Sequence, residues 1–124
     1  MTKSEAQKQQ LIKARDFLMR ALAAPENDIQ RAGTIKAFEF CFELSWKYLK
    51  VLVEGDAGLV ASPRSVFREA AKHGFIDNPA DWFNFLETRN ITAHTYVDKV
   101  AEEVYEVIKS DFLLALNKLI DAEN

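Results

Sequence analysis

At 124 residues the chain has the length of one domain, residues 1–124, with no room for a second. Hydrophobic residues at 48% and charged residues at 28% exclude disorder and fibrous repeats, and 4 Gly with 3 Pro supply too few turns for a many-stranded β fold. A formal charge of -3, from 16 Lys and Arg against 19 Asp and Glu, excludes a globally basic nucleic-acid surface. Any contact with RNA or a nucleotide must then be local, or sit in a cleft built by two chains.

Overlapping capping-box patterns, Thr2 with Glu5 and Ser4 with Gln7, predict a first helix from about residue 4 to 24. Leu11, Ala14, Leu18 and Leu22 recur along it at helical spacing, and Pro25 and Asn27 break it. A second helix is expected from about residue 28 to 54, stopped by Gly55. It is apolar on two sides, with Ile35, Phe38, Phe42, Leu49 and Leu52 on one and Phe40, Leu44, Tyr48 and Val51 on the other. One stripe suffices in a lone four-helix bundle, so the second asks for burial by the remaining helices or by another chain, and a homodimer is expected. Residues 55–61 read as a loop. Ser62-Pro63 opens a short helix that ends at Gly74, and Asn78-Pro79 repeats the pattern to open a helix reaching about Ala93. Asp98 is expected to cap a last helix whose Val100, Val104, Val107, Ile108, Phe112, Leu116, Leu119 and Ile120 form a broad apolar face. The expected class is all-α: an up-and-down four-helix bundle with an extra short helix. No apolar stretch is long enough to span a bilayer, and residues 1–10 carry no export signal. Cys41, alone and between two Phe, reads as a small apolar filler, and a reducing cytoplasm is expected.

The segment that can carry chemistry is Arg89-Asn90-Ile91-Thr92-Ala93-His94-Thr95-Tyr96, near a helix end and off every core stripe. On an ideal helix Glu87, Asn90 and His94 share one narrow face and Arg89 and Tyr96 another; Arg89 and His94 point about 140° apart. They can serve one phosphate only if the helix breaks before Tyr96, or if a second chain supplies one of them. Histidine titrates near neutrality and can take a proton from a 2′-hydroxyl or give one to a leaving oxygen. Arginine can grip non-bridging phosphate oxygens with two prongs. Asn90 can orient the imidazole or the sugar. These groups suit RNA cleavage without metal. The plainer alternative is that His94 bonds a neighbouring helix while Arg89 pairs with Glu39 or Glu43.

The string Arg89-Asn90-x-x-x-His94-x-Tyr96 resembles the signature of the HEPN superfamily, in particular its HepT-like toxins and nucleotidyltransferase substrate-binding proteins. The stretch from Phe38 to Lys47 resembles that branch's aromatic-acidic helix. Ser62-Pro63-Arg64, Arg68-Glu69-Ala70 and Gly74-Phe75-Ile76 resemble its short third helix and following turn, so the likeness covers roughly residues 29–110. The resemblance implies a dimeric HEPN-like bundle with the motifs of two subunits facing one cleft. It implies a metal-independent ribonuclease with Arg89 and His94 as catalytic pair and Asn90 as polar helper. It also implies a minimal nucleotidyltransferase encoded beside it as antitoxin, which transfers AMP to Tyr96 and silences the cleft. A non-catalytic subunit that binds substrate or nucleotide for a partner nucleotidyltransferase is the alternative the same resemblance carries. RNA is the expected substrate and DNA and membranes are not expected partners.

Other singled-out groups read more simply. Glu39, Glu43 and Lys47 lie at successive fourth positions, and a Glu43–Lys47 ion pair is expected, unless one carboxylate supports Arg89 or His94. Arg64, Arg68 and Lys72 share a face of the third helix, with His73 beside it, and read as a solvated stripe or as a guide for RNA or an acidic partner. Trp46 and Trp82 are expected as core or interface anchors. No Gly-rich phosphate loop or metal-ligand spacing is present in the sequence, so neither cofactor nor metal is expected.

Overall fold

The Thr2 hydroxyl accepts from the Glu5 amide at 3.1 Å while the Glu5 carboxylate accepts from the Thr2 amide at 3.3 Å, and this reciprocal cap starts α1, Lys3–Ala23. Ser4 lies inside the helix and its hydroxyl meets that of Thr2, so the second capping box is not formed. The chain is described from a computed structural model covering residues 1–54 and 62–122. Gly55 as a helix stop and the 55–61 loop lie outside these residues. Asn27, read from sequence only as a breaker, caps the next helix by accepting from the Gln30 amide at 2.8 Å.

Helix α2 runs Asp28–Glu54, α3 runs Pro63–Lys72 and α4 runs Pro79–Ile91. A 3-10 turn follows at Thr92–His94, then α5, Asp98–Val107, a π turn at Ile108–Phe112, and α6, Leu113–Asp121. There is no strand among the described residues, and no helix there is long and apolar enough to cross a membrane. Among the described residues, four long helical rods, counting α5 to α6 as one, and the short α3 make the expected all-α bundle.

Ser62 and Asn78 cap α3 and α4, each followed by Pro in the first turn. Gly74 sits at φ 78, where the Phe75 amide reaches Ala70 O at 2.9 Å and the Gly74 amide reaches Ala71 O at 3.1 Å. This paired 6→1 and 5→2 bonding needs a left-handed residue, which is why glycine stands there. Asp98, by contrast, is not a cap: Val97 holds the cap position without a side-chain bond, and Asp98 falls in the first turn.

The expected last helix is interrupted, and its sequence says why. Val104, Ile108, Phe112, Leu116 and Ile120 repeat every four residues, and all are buried. Four residues overshoot one α-helical turn by about 40°, so four repeats would carry the stripe about 160° round the helix. A wider π turn in the middle takes part of that drift back and keeps Ile108 and Phe112 on the core.

Of the first α2 stripe, Ile35, Phe38, Phe42 and Leu49 are buried and Leu52 is half-buried. The second stripe divides: Tyr48 is buried, Leu44 and Val51 are half-buried, and Phe40 is 48% exposed. The remaining helices therefore cover most of it within one chain. Phe112 is the meeting point of the core, with centroids 4.7 Å from Phe38, 5.2 Å from Phe85 and 6.0 Å from Trp82, all edge-on. Cys41 is a buried filler whose thiol is pushed up from 9.0 to about 12 by burial, slightly opposed by Arg15.

Polar ties fix the register of the helices. Buried Gln30 donates from Nε2 to Ala21 O at 2.9 Å and to the Tyr105 hydroxyl at 3.0 Å, linking α1, α2 and α5. Arg15 donates to Asn117 Oδ1 at 2.8 Å and Lys8 to Ala122 O at 3.2 Å, holding α6 against α1.

Truncating Phe112 to Ala is expected to cost about 3–5 kcal/mol of stability in urea denaturation, because three aromatic edges lose their common partner. The Cys41 thiol should resist a thiol reagent at pH 8 until the chain unfolds. Its raised pKa also fixes the sign of a pH effect: this contribution is intact below pH 9 and declines towards pH 12, as the unfolded thiol ionises first.

Candidate functional site

Thr92 ends α4. Its hydroxyl donates to Arg89 O at 2.7 Å, three residues back, which draws the last turn into 3-10 geometry. Thr95 repeats the move by donating to Thr92 O at 3.0 Å, and the Val97 amide reaches His94 O at 3.1 Å. The helix expected to reach Ala93 therefore stops at Ile91, the break before Tyr96 that the Arg89 and His94 spacing requires.

Arg89 is held on the bundle side of this turn. Its Nη1 donates to Thr92 Oγ1 at 3.1 Å, its Nη2 stands 3.5 Å from Glu39 Oε2, and its Nε stands 3.8 Å from Glu43 Oε1. Only the first is a hydrogen bond; Nε is buried without one. Two α2 carboxylates thus fix the position of the guanidinium by charge while leaving most of its donors unused. Its side chain is 33% exposed, so these ion pairs are partly screened and contribute modestly to stability. Glu39 also meets Lys36 at 4.0 Å and Glu43 accepts from Trp46 Nε1 at 3.2 Å. Among the described residues no ion pair joins Glu43 to Lys47, and the expected Glu43–Lys47 pairing gives way to Arg89 and Trp46.

Asn90, His94 and Tyr96 face outward. Tyr96 is 80% exposed, and the His94 and Tyr96 rings lie edge-to-face with centroids 6.1 Å apart. The Asn90 side chain has no hydrogen bond within the described residues, and Glu87 turns to Arg64 at 4.0 Å instead of towards His94. No hydrogen bond or ion pair joins Arg89 to His94 within the described residues of one chain. The structure brings Arg89 together with Glu39 and Glu43, and His94 together with Tyr96. Thr92 was missed as a positioning residue; its signal was a hydroxyl three residues after the arginine.

The α3 stripe is largely occupied. Arg64 and Arg68 lie over the Phe83 ring at 5.2 and 5.5 Å, and Glu69 pairs with Lys72 at 3.6 Å and His73 at 3.8 Å. Trp82 is buried in the core, and Trp46 is half-buried against it. No group of three or more His, Cys, Asp or Glu able to hold a metal occurs among the described residues.

A small all-α bundle with an Arg-Asn…His-x-Tyr segment at the broken end of its fourth helix fits the HepT-like class. The chain belongs to the nucleotidyltransferase substrate binding protein like family, whose profile matches residues 3–124. It is 36% identical over 96 residues to a Haemophilus influenzae protein named "Probable ribonuclease HepT"; the match covers 73% of this chain and 64% of that relative's length. Its fold is similar to that of a solved Haemophilus influenzae protein described as the substrate binding domain of a nucleotidyltransferase, with TM-score 0.82 and 29% identity over 92% of this chain and 96% of that one. A crystal structure from Thermus thermophilus is similar at TM-score 0.80 and 25% identity, covering 89% of this chain and 95% of the other.

Thr92→Val keeps the shape but leaves the Arg89 carbonyl and Nη1 without their shared partner. A loss of about 1–3 kcal/mol is expected in urea denaturation.

Proposed function

We propose that the chain is a metal-independent endoribonuclease of the HepT kind, the toxin of a toxin–antitoxin pair, working as a cytoplasmic homodimer. Arg89 and His94 are its catalytic pair and Asn90 is their polar helper. The observation that carries this reading is the state of Arg89, fixed by Glu39, Glu43 and Thr92 yet one-third exposed and with no hydrogen bond from its Nη atoms to either carboxylate. An arginine serving only to cross-brace two helices would spend those donors on the carboxylates. Held as it is, the guanidinium can take non-bridging phosphate oxygens as charge builds on them.

His94 takes the proton of an RNA 2′-hydroxyl; the freed oxygen attacks the adjacent phosphorus, and the 5′-oxygen leaves after gaining a proton from an acid. A second chain's motif supplies that acid if the two motifs share a cleft. Exposed Phe40, Ile91 and Val97, close in sequence to Glu39, Arg89 and Tyr96, are apolar area available for such a dimer.

The proposed partner is a minimal nucleotidyltransferase. It joins the Tyr96 phenol oxygen to the α-phosphorus of ATP and releases pyrophosphate. Tyr96 is exposed and stands beside His94, so the added phosphate would bring negative charge and bulk to the place of the RNA phosphate. A second reading, a non-catalytic subunit presenting substrate to that enzyme, is favoured by the family description and by the solved Haemophilus influenzae relative.

One experiment separates the two. Purified protein incubated with total RNA in excess chelator should cleave it, and His94→Ala and Arg89→Ala should each lower the rate by about 100-fold or more. Cleavage that survives both substitutions removes the catalytic assignment, and absence of cleavage by the parent gives the binding-subunit reading. Incubation with the nucleotidyltransferase and ATP should add AMP mass to the peptide holding Tyr96 and should abolish cleavage, and neither should occur in Tyr96→Phe.

A further inference from the structure

Away from Arg89 and His94, a groove of about 880 Å³ runs between α4 and the π turn with α6. Its floor is apolar, with Trp82, Phe85 and Leu119, and Leu114 on its wall is 59% exposed. Its rim carries Asp77, Asp81, Asp111 and Asp121 against one cation, Lys118, which pairs with Asp77 at 4.0 Å. Among the described residues Asp81, Asp111 and Asp121 have no ion pair. Along α4 the lining runs from Asn78 to Thr88, about 15 Å of helix, enough for roughly three turns of another helix to lie in it.

The same chain displays a helix face of opposite character. On α1, Leu11, Leu18, Arg15 and Lys8 face the bundle. The far side, about 180° round, carries Gln10, Lys13, Phe17 and Arg20, all exposed. Arg20 lies over the Phe17 ring at 5.9 Å, and among the described residues neither Lys13 nor Arg20 has an ion pair. Asp16 stands between Lys13 and Arg20 at the edge of that side, but its carboxylate is paired with Arg15 at 2.9 Å and not with either of them.

We infer that the outer face of α1 docks into the α4–α6 groove of a second copy of this chain, Phe17 entering the apolar floor and Lys13 and Arg20, which share one flank of Phe17, meeting the acidic rim that Asp81 and Asp111 supply. Unpaired cations beside an exposed aromatic ring match unpaired carboxylates around an apolar trough. The contact joins two different faces, so each copy gives a helix and receives one, either reciprocally within a pair or onward to further copies. It is made through residues other than the motif, and so adds to any dimer formed there and does not depend on catalysis.

Two charge-reversed chains test this, each checked for retained helicity by circular dichroism. One carries Asp81→Lys with Asp111→Lys, the other Lys13→Glu with Arg20→Glu. In sedimentation equilibrium at low salt the parent should gain mass with concentration beyond the smallest species present, and about 500 mM NaCl should weaken that gain. Each reversed chain alone should lose it, with a dissociation constant raised about tenfold or more, and a one-to-one mixture should regain it, since each cationic face again meets an acidic one. In a mixture of ¹⁵N-labelled and unlabelled parent, carbodiimide should join the Lys13 peptide of one label to the Asp81 or Asp111 peptide of the other. Failure of the mixture to regain mass, or absence of that mixed-label cross-link, overturns the inference. So does a parent whose mass ignores both substitutions while the groove variant alone stops co-purifying with a nucleotidyltransferase, because the occupant is then a different protein.

Discussion

Edge-on packing around Phe112 is the contact on which the site's geometry depends. The ring meets Phe38 of α2 and both Trp82 and Phe85 of α4, so one side chain sets how far α4 stands from α2. That spacing decides whether Arg89, near the end of α4, falls within reach of Glu39 and Glu43 on α2. The π turn belongs to the same arrangement: without the extra width at Ile108–Phe112, the four-residue repeat would roll Phe112 off this junction. A distortion in the last rod therefore serves a placement made two helices away.

Charge at the motif is arranged by distance more than by number. A guanidinium at hydrogen-bonding distance from two carboxylates would be neutralised and spent. At 3.5 and 3.8 Å the two carboxylates hold Arg89 by charge without taking a hydrogen bond from it, and its Nε is buried, so any donors left open to solvent are on its Nη atoms. Glu43 is itself steadied by Trp46 and Glu39 by Lys36, so the carboxylates are held by groups other than the arginine they position.

Most of the fold was legible because its signals are short-range. Ser62-Pro63, Asn78-Pro79, Gly74 and the Thr2–Glu5 box each state a helix end within four residues, and the structure honours all of them. What failed was partly local competition, as where Thr2 and not Ser4 caps α1, and partly contact between distant segments. Asp98 has the chemistry of a cap, but the chain enters α5 one residue earlier and leaves its carboxylate in the first turn. Glu43 and Lys47 have a favourable spacing on a lone helix, yet a guanidinium from α4 and an indole on α2 itself take the carboxylate instead. The role of buried Gln30, which bonds α1 and α5 at once, has no local signature at all. At the site, the demand for a break before Tyr96 came from helical angles alone, whereas the residue that makes the break, Thr92, carried only the weak signal of a hydroxyl three residues after Arg89.

Helix α4 carries two surfaces that differ by a small rotation. Trp82 and Phe85 face the core, and Asp81, Asn84 and Thr88 line the groove against α6, while Arg89, one residue past Thr88, turns to α2. Thr88 is buried and its hydroxyl donates to Asn84 O at 3.0 Å, so its polar group is satisfied within the helix where the groove ends and the motif begins. A helix so short, buried on one side and used on two others, has little freedom to shift one surface without the other. Groove and motif are therefore two faces of one helix of thirteen residues, set in place by the same core contacts.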